Sequence, residues 1–136
     1  MSQPAQDRVR VLVVDDNQDN ANSLATLLRI GYQCNAKACM DGLKCIETVR
    51  EFKPHLMFLD LHMPRMDGYQ IAQHLAAEGI KPPLVVALTG IGGEDSIEMA
   101  LNLGCDAHEL KPIAIPRLEQ LVAKARDIAQ LTDESP

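Results

Sequence analysis

The stretch from His55 to Gly68 reads His-Leu-Met-Phe-Leu-Asp-Leu-His-Met-Pro-Arg-Met-Asp-Gly, and it decides how the rest of the chain is interpreted. Its segment 56–60 is an apolar run that ends abruptly in the carboxylate of Asp60, and Pro64 with Gly68 indicates a loop soon afterwards. A parallel strand that is covered by helices on both faces has this unbroken apolar character. The pattern therefore predicts a central strand with Asp60 at its carboxyl end, where open parallel sheets place their functional sites.

The size and charge of the chain favour one acidic globular domain. Its 136 residues can bury about two-thirds of their unfolded surface, and 3% aromatic content leaves the core to aliphatic side chains. Thirteen Lys and Arg residues against 19 Asp and Glu residues give a net charge of −6. This charge has the wrong sign for attraction to phosphate backbones, so we expect no nucleic-acid binding by this domain.

The ends of the chain are polar. Residues 1–7 lack the apolar segment of a signal peptide, and no run approaches the roughly 18 apolar residues of a membrane span. We therefore expect a cytoplasmic protein without membrane contact. The expected organisation is a disordered N-terminal segment at 1–7, one domain at 8–131, and a polar tail or linker stub at 132–136.

The four cysteines show no Cys-x-x-Cys spacing. In a reducing compartment this favours buried free thiols over a metal or redox site. The cysteines are Cys34, Cys39, Cys45 and Cys105.

Strand-like and helix-like segments alternate along the chain. Four further strands are predicted at 8–14, 34–39, 84–88 and 107–110. Apolar residues at helical spacing predict five helices with apolar inner faces. The residues of these faces are Ala21, Leu24, Leu27 and Leu28 in the first helix, Leu43, Ile46 and Val49 in the second, Ile71 and Leu75 in the third, Ile97 and Leu101 in the fourth, and Ile115, Leu118, Val122, Ala125 and Ala129 in the last. This alternation predicts an α/β fold with a doubly wound, five-stranded parallel sheet of flavodoxin-like order and helices on both faces.

Polar residues follow four of the predicted strands, and the fold would bring them to one edge. They are Asp15, Asp16, Asp60, Thr89 and Lys111. Two carboxylates about 4 Å apart repel each other by roughly 4 kcal/mol at an effective dielectric constant near 20, so the cluster needs a cation or a proton. Oxygen ligands favour Mg²⁺ over Zn²⁺. A carboxylate beside Mg²⁺, an ammonium group and a hydroxyl is suited to accept a phosphoryl group.

Four motifs together resemble the receiver domain of two-component response regulators, the CheY-like domain, over about residues 8 to 131. They are Val-Val-Asp-Asp at 13–16, the run from Leu59 to Gly68, Ala-Leu-Thr-Gly at 87–90, and Glu-Leu-Lys-Pro at 109–112. Each motif alone is weak, but the four occur in the family's order. The resemblance implies two-component phosphorelay signalling.

The resemblance also assigns roles to the acidic residues. Asp60 would be the phosphoacceptor, taking its phosphoryl group from a phosphohistidine of a sensor histidine kinase or a histidine phosphotransfer protein. Asp16, Asp60 and the backbone carbonyl of His62 would ligate Mg²⁺ directly, while Asp15 would act through water.

The resemblance gives the remaining site residues electrostatic and switching roles. Lys111 would pair with the acidic pocket and then with the phosphoryl group, and Thr89 would move toward the phosphoryl oxygens as the switch. The Lys111–Pro112 bond is often cis in this family. Such a domain catalyses its own phosphorylation and dephosphorylation, so we do not expect an enzyme that turns over a separate metabolite.

The chain departs from the family pattern near the last strand. His108 occupies the position, three residues before Lys111, where receivers usually carry Tyr or Phe. The surface around the last strand is therefore expected to switch differently or barely at all. The pair Gly92-Gly93 after Thr89 should also lower the cost of rearranging that loop.

Two other functions fit the residues of this chain less well. A Mg²⁺-dependent phosphohydrolase with an Asp nucleophile would usually have a second carboxylate two residues after it, where this chain has His62. A flavin-binding module would need a Ser, Thr or Gly phosphate cradle in the first loop, but residues 15–19 are acidic there.

The output of the domain is not readable from the sequence. No DNA-binding or catalytic segment follows residue 131, so we expect either a stand-alone receiver acting by protein contact or a piece of a longer chain. The run at 107–112 resembles receivers of hybrid histidine kinases. Besides the kinase, the expected partner is a downstream protein or an attached output domain.

Overall fold

A computed structural model describes residues 9–61, 68–90, 98, 101–102 and 104–133. The elements are β1 (Arg10–Val14), α1 (Gln18–Tyr32), β2 (Asn35–Cys39), α2 (Gly42–Phe52), β3 (Leu56–Asp60), α3 (Gly68–Glu78), β4 (Leu84–Thr89), β5 (Ala107–Leu110) and α4 (Ile115–Asp133). Of the fourth helix predicted from the sequence, Glu98, Leu101 and Asn102 are helical, and most of the rest, including Ile97, lies outside the described residues.

The five strands form one parallel sheet in the order β2-β1-β3-β4-β5. This order confirms the predicted doubly wound, flavodoxin-like α/β fold. The chain crosses from β1 to β2 on one side and then to β3 on the other. The carboxyl ends of β1 and β3 therefore flank the crevice where such folds place their sites.

Every position of β3 and β4 is buried, as their continuous apolar runs predicted. Along β3, alternate side chains enter two separate apolar layers, because successive residues of a strand point to opposite faces. Phe58 packs in the layer covered by α1 and α4, and Met57 packs in the layer covered by α2 and α3. Both faces of the sheet are thus covered by helices.

The inner faces of the helices differ from the predicted ones at their margins. Leu27 is 37% exposed, Leu43 is 57% exposed and Ile115 is 48% exposed, although all three were predicted to lie on inner faces. In α1 the buried positions are Ala21, Ala25 and Leu28. These residues recur every three to four positions and face the sheet, which leaves Leu27 about a quarter turn outside that stripe.

Three cysteines are buried, as predicted, and all four are free thiols. Cys34, Cys45 and Cys105 lie in the core, whereas Cys39 is half-buried at the end of β2. Burial raises the pKa of each of the three core thiols, and for Cys105 it raises the pKa to about 11 from an ordinary value of 9.0.

We expect alkaline pH to destabilise the protein partly through Cys105. Between about pH 9 and pH 11 its thiol is ionised in the unfolded chain and protonated in the folded one, so the folded state binds more protons. The free energy of unfolding should therefore fall across this window, by up to about 2.7 kcal/mol from this thiol. Urea unfolding of the wild type and of Cys105→Ala at several pH values checks this, since the variant should lose part of the slope. Equal slopes would contradict the prediction.

Within the described residues, no helix has both the length and the apolar character needed to cross a bilayer.

Candidate functional site

The carboxylates predicted to gather at one sheet edge do so. Asp15 directly follows β1 and Asp60 ends β3, and each is only 3% exposed. Asp16 is exposed beside them. One carboxylate oxygen from each of the three lies within 4.8 Å of the others.

Lys111 joins this cluster from the end of β5. Its Nζ lies 2.8 Å from Oδ2 of Asp15 and 3.0 Å from Oδ2 of Asp60, so one ammonium group bridges the two buried carboxylates. Three carboxylates and one ammonium give the cluster a net charge of −2. The Lys111–Pro112 bond is cis, as the resemblance implied.

The protonation of Lys111 is fixed by competing influences. Burial lowers the pKa of Lys111, but the hydrogen bonds and the negative charges of Asp15 and Asp60 raise it, and the net pKa lies above the ordinary 10.5. The side chain is therefore an ammonium ion at neutral pH. It is held by charge-assisted hydrogen bonds, which are the stronger kind.

The turn between β1 and α1 fixes the orientation of Asp15. The Asp15 backbone N–H donates to the carbonyl of Cys39 at 3.1 Å, and its Oδ1 accepts a hydrogen bond from the Asn17 backbone N–H at 2.9 Å. Asn17 is itself the N-cap of α1, where its side chain accepts a hydrogen bond from the backbone N–H of Asn20 at 3.0 Å. One short turn thus aims Oδ2 of Asp15 at Lys111 and starts the helix.

Gly68, the first residue of α3, packs against the backbone of the strand end that carries Asp60. A Cβ at this position would lie 2.3 Å from the carbonyl oxygen of Asp60 and 2.7 Å from Cα of Leu61. The Gly68 backbone N–H also donates to the carbonyl of Leu61 at 3.2 Å. The sequence predicted a loop and the start of a helix near this position, but a glycine in a sequence does not reveal which backbone will approach it.

Thr89 ends β4 and is fully buried. Its Oγ1 lies 3.1 Å from Nε2 of His108 on β5. Its carbonyl accepts a hydrogen bond from the Lys111 backbone N–H at 2.8 Å, which ties the ends of β4 and β5 together. The contact between Thr89 and His108 could not be predicted from the sequence.

Two features that the sequence analysis singled out lie outside the residues that the structure describes. His62, whose backbone carbonyl was a predicted metal ligand, lies outside the described residues. The same is true of the Gly92-Gly93 pair. The structure therefore brings together Asp15, Asp16, Asp60 and Lys111, with Thr89 at the neighbouring strand end.

The donor set of this cluster fits a hard divalent cation. Its ligand atoms are carboxylate oxygens, two of the three carboxylates are buried, and the net charge of −2 favours a cation. Oxygen-only sites of this kind suit Mg²⁺, Ca²⁺ or Mn²⁺ better than softer metals.

An open groove of about 570 Å³ adjoins the acidic cluster. Asp15 and Lys111 are among its lining residues. The lining also includes the polar Asn20 and Ser23 of α1 and apolar residues such as Leu24, Leu88 and Ile113.

Known proteins of similar sequence are response regulators. The family model of the response regulator receiver domain matches residues 11–123. A transcriptional regulatory protein, PdtaR of Mycobacterium tuberculosis, is 35% identical over 130 residues, covering 92% of this chain and 62% of that protein. The DNA-binding response regulator MtrA of Mycolicibacterium paratuberculosis is 33% identical over 129 residues, covering 95% of this chain and 55% of that protein.

Solved structures with the same fold include receiver domains. The signal receiver domain of a LuxO repressor protein from Vibrio parahaemolyticus has a TM-score of 0.81 and 27% identity, covering 95% of this chain and 99% of that chain. A CheY-like receiver domain protein from Methanospirillum hungatei has a TM-score of 0.78 and 19% identity, covering 90% of this chain and 97% of that chain, which shows the shared fold. The family model matches most of the length of this chain, and the fold gathers the aspartates at one sheet edge. The chain therefore belongs to the response regulator receiver domain family.

Proposed function

We propose that this domain accepts a phosphoryl group on Asp60 from a phosphohistidine, carried by a sensor histidine kinase or a histidine phosphotransfer protein. The observation that carries the proposal is the Lys111 ammonium group, which bridges the buried carboxylates of Asp60 and Asp15 beside the exposed carboxylate of Asp16. This arrangement supports a nucleophilic role for Asp60, because a carboxylate and a compensating positive charge lie together at one sheet edge.

The chemistry follows from these groups. A carboxylate oxygen of Asp60 attacks the phosphorus, the bond between phosphorus and the donor's imidazole nitrogen breaks, and that nitrogen keeps the electron pair. Lys111 already contacts Oδ2 of Asp60, so its positive charge lies beside the developing negative charge of the transferring group. Water later hydrolyses the acyl phosphate, so no separate metabolite is turned over.

We propose Mg²⁺ as the cation, with Asp16, Asp60 and the His62 backbone carbonyl as direct ligands. The two oxygens of Asp15 are occupied by the Asn17 backbone N–H and by Lys111, which supports a role for Asp15 through water. Mg²⁺ usually keeps several waters and takes few protein ligands. When bound, it supplies positive charge and a template for the phosphoryl oxygens.

Intact mass after incubation with acetyl phosphate and Mg²⁺ tests the proposal. The wild type should gain about 80 Da, the mass of one phosphoryl group. Asp60→Asn and the wild type with EDTA should gain nothing. A gain that persists in Asp60→Asn would refute the assignment of Asp60. No gain in the wild type, together with no binding of beryllium fluoride, would indicate a receiver that acts only as a docking surface.

Mg²⁺ should stabilise the folded protein through Asp16. A cation at 100 times its dissociation constant raises the free energy of unfolding by about 2.7 kcal/mol. Asp16 is exposed, so Asp16→Asn should fold normally yet lose most of this increase. Thermal unfolding with and without Mg²⁺ measures the effect, and Asp19→Asn, an exposed carboxylate in the first turn of α1, is the matched control. An equal loss in both variants would point to general charge screening instead of a site.

The output of the protein is proposed only as contact with another protein or with an attached domain. The chain spans about 60% of the length of the curated relatives it matches. The regulatory and DNA-binding activities in the relatives' names belong to those proteins.

A further inference from the structure

The hydrogen bond between Thr89 and His108 is a feature that the proposed chemistry does not use. In the register of β4 and β5, Ala87 pairs with His108 and Thr89 pairs with Leu110. Paired residues of parallel strands share a face, and so do residues two apart, so Thr89 and His108 are diagonal neighbours on one face. Their 3.1 Å contact is therefore set by the sheet itself.

This bond turns the hydroxyl of Thr89 toward β5. Within the described part of the chain, His108 is the only hydrogen-bond partner of that hydroxyl. The Thr89 backbone cannot easily follow a new partner, since its carbonyl accepts a hydrogen bond from the Lys111 backbone N–H. A change of partner must therefore come from rotation of the Thr89 side chain.

The single proton of the hydroxyl makes the two partners compete. A phosphoryl oxygen can only accept a hydrogen bond, so Thr89 must donate its proton to it. When Nε2 of a neutral His108 is the acceptor, this proton is already used. When Nε2 is the donor, the ring still holds the hydroxyl on the β5 side.

We propose that His108 is a positioning residue that holds the hydroxyl of Thr89 at β5 in the unphosphorylated protein, and that a phosphoryl group on Asp60 must displace this bond. The inference rests on the proposed function of Asp60. β5 is an edge strand and His108 is only half-buried, so the released ring has room to turn outward. The imidazole is thus a restraint on the switch, at a position where the family usually carries Tyr or Phe.

The affinity for beryllium fluoride, a phosphoryl mimic, tests the restraint in the presence of Mg²⁺. A neutral hydrogen bond changes an equilibrium roughly 2- to 10-fold. His108→Phe keeps an aromatic ring without a hydrogen-bonding nitrogen, and it should tighten binding by that factor. His108→Gln, whose amide can bond to a hydroxyl, should stay near the wild type. In a Thr89→Val background, His108→Phe should have no effect.

Other results would overturn the restraint. These are weaker binding by His108→Phe, or an equal effect of His108→Phe with and without the Thr89 hydroxyl. A separate measurement needs no phosphoryl mimic: the ¹⁵N shifts of the His108 ring should differ between the wild type and Thr89→Val. Unchanged shifts would refute the bond itself. A third outcome is that the ¹⁵N shifts differ between the wild type and Thr89→Val but the wild type binds no beryllium fluoride. The hydrogen bond would then be present, while the proposed function, and with it the switching role of His108, would be refuted.

Discussion

Gly68→Ala is expected to lower the free energy of unfolding by at least about 2 kcal/mol, although the same change inside a helix usually raises it by roughly 1 kcal/mol. The new Cβ would lie 2.3 Å from the carbonyl oxygen of Asp60, 2.7 Å from Cα of Leu61 and 2.9 Å from the carbonyl carbon of Asp60. All three are backbone atoms at the buried end of β3, so no side chain can rotate to make room. Either α3 or this strand end must shift.

Such a shift would reach the carboxylate of Asp60, the proposed phosphoacceptor. Asp60 must stay within 3.0 Å of Lys111 to keep its charge-assisted hydrogen bond. We therefore expect Gly68→Ala to slow phosphorylation by acetyl phosphate as well as to destabilise the fold. Urea unfolding and the rate of mass gain measure the two effects separately.

Gly31→Ala in α1 is the matched control. There a Cβ would meet only Cδ1 of Leu27 at 3.2 Å, and Leu27 is a partly exposed side chain that can move. This variant should be as stable as the wild type or more stable by up to about 1 kcal/mol. If Gly68→Ala matched it in stability, the close approach of the helix to β3 would not constrain the protein.

Lys111→Met is expected to cost roughly 3 kcal/mol of unfolding free energy when no divalent cation is present. The ammonium group compensates two carboxylates, those of Asp15 and Asp60, whose side chains are only 5% exposed. Without the ammonium group, the two buried negative charges repel each other and lose the compensation that this group provides. Chemical unfolding in EDTA measures the loss, and equal stability of variant and wild type would contradict the role given to Lys111.

The pH dependence of this difference has a defined sign. The pKa of Lys111 in the folded protein is raised above 10.5, so its contribution is fully present below that pH and is lost as the pH rises through the folded pKa. The difference in free energy of unfolding between the wild type and Lys111→Met should therefore be constant from neutral pH to about pH 10 and become smaller at higher pH. Lys111→Arg keeps the positive charge and should show a smaller loss.

Divalent cations should partly rescue Lys111→Met. In this variant, a cation bound to Asp16 and Asp60 would compensate the negative charges in place of the ammonium group. It would also not be repelled by that group. Mg²⁺ should therefore stabilise the variant more than it stabilises the wild type. A smaller Mg²⁺ effect in the variant would mean that Lys111 shapes the metal site instead of opposing the cation.

The sheet and the strand-end residues could be predicted from the sequence because their patterns have few alternatives. The runs that became β3 and β4 are continuous and apolar, so they fit only strands buried on both faces. A polar residue that ends such a run lies at the sheet edge. Asp60 and Thr89 were placed correctly on this ground alone.

Features that depend on distances between elements could not be predicted. Asp15 and Asp16 are adjacent in sequence, and only the turn that ties Asp15 to Asn17 shows which one is buried. The contact between Thr89 and His108 depends on the register of β4 and β5. For the helices, periodicity gave the apolar stripe but not its margins, as exposed Leu43 shows.

The Asn17 turn contributes separately to the acidic cluster and to helix α1. Its inward bond to Asp15 serves the acidic cluster, while its cap of α1 begins a helix whose outer side carries Leu27 and Ile30, the latter 79% exposed. Substitutions on that outer side touch none of the bonds that aim Asp15. Residues along the outer side of α1 can therefore vary in evolution while the orientation of Asp15 is preserved.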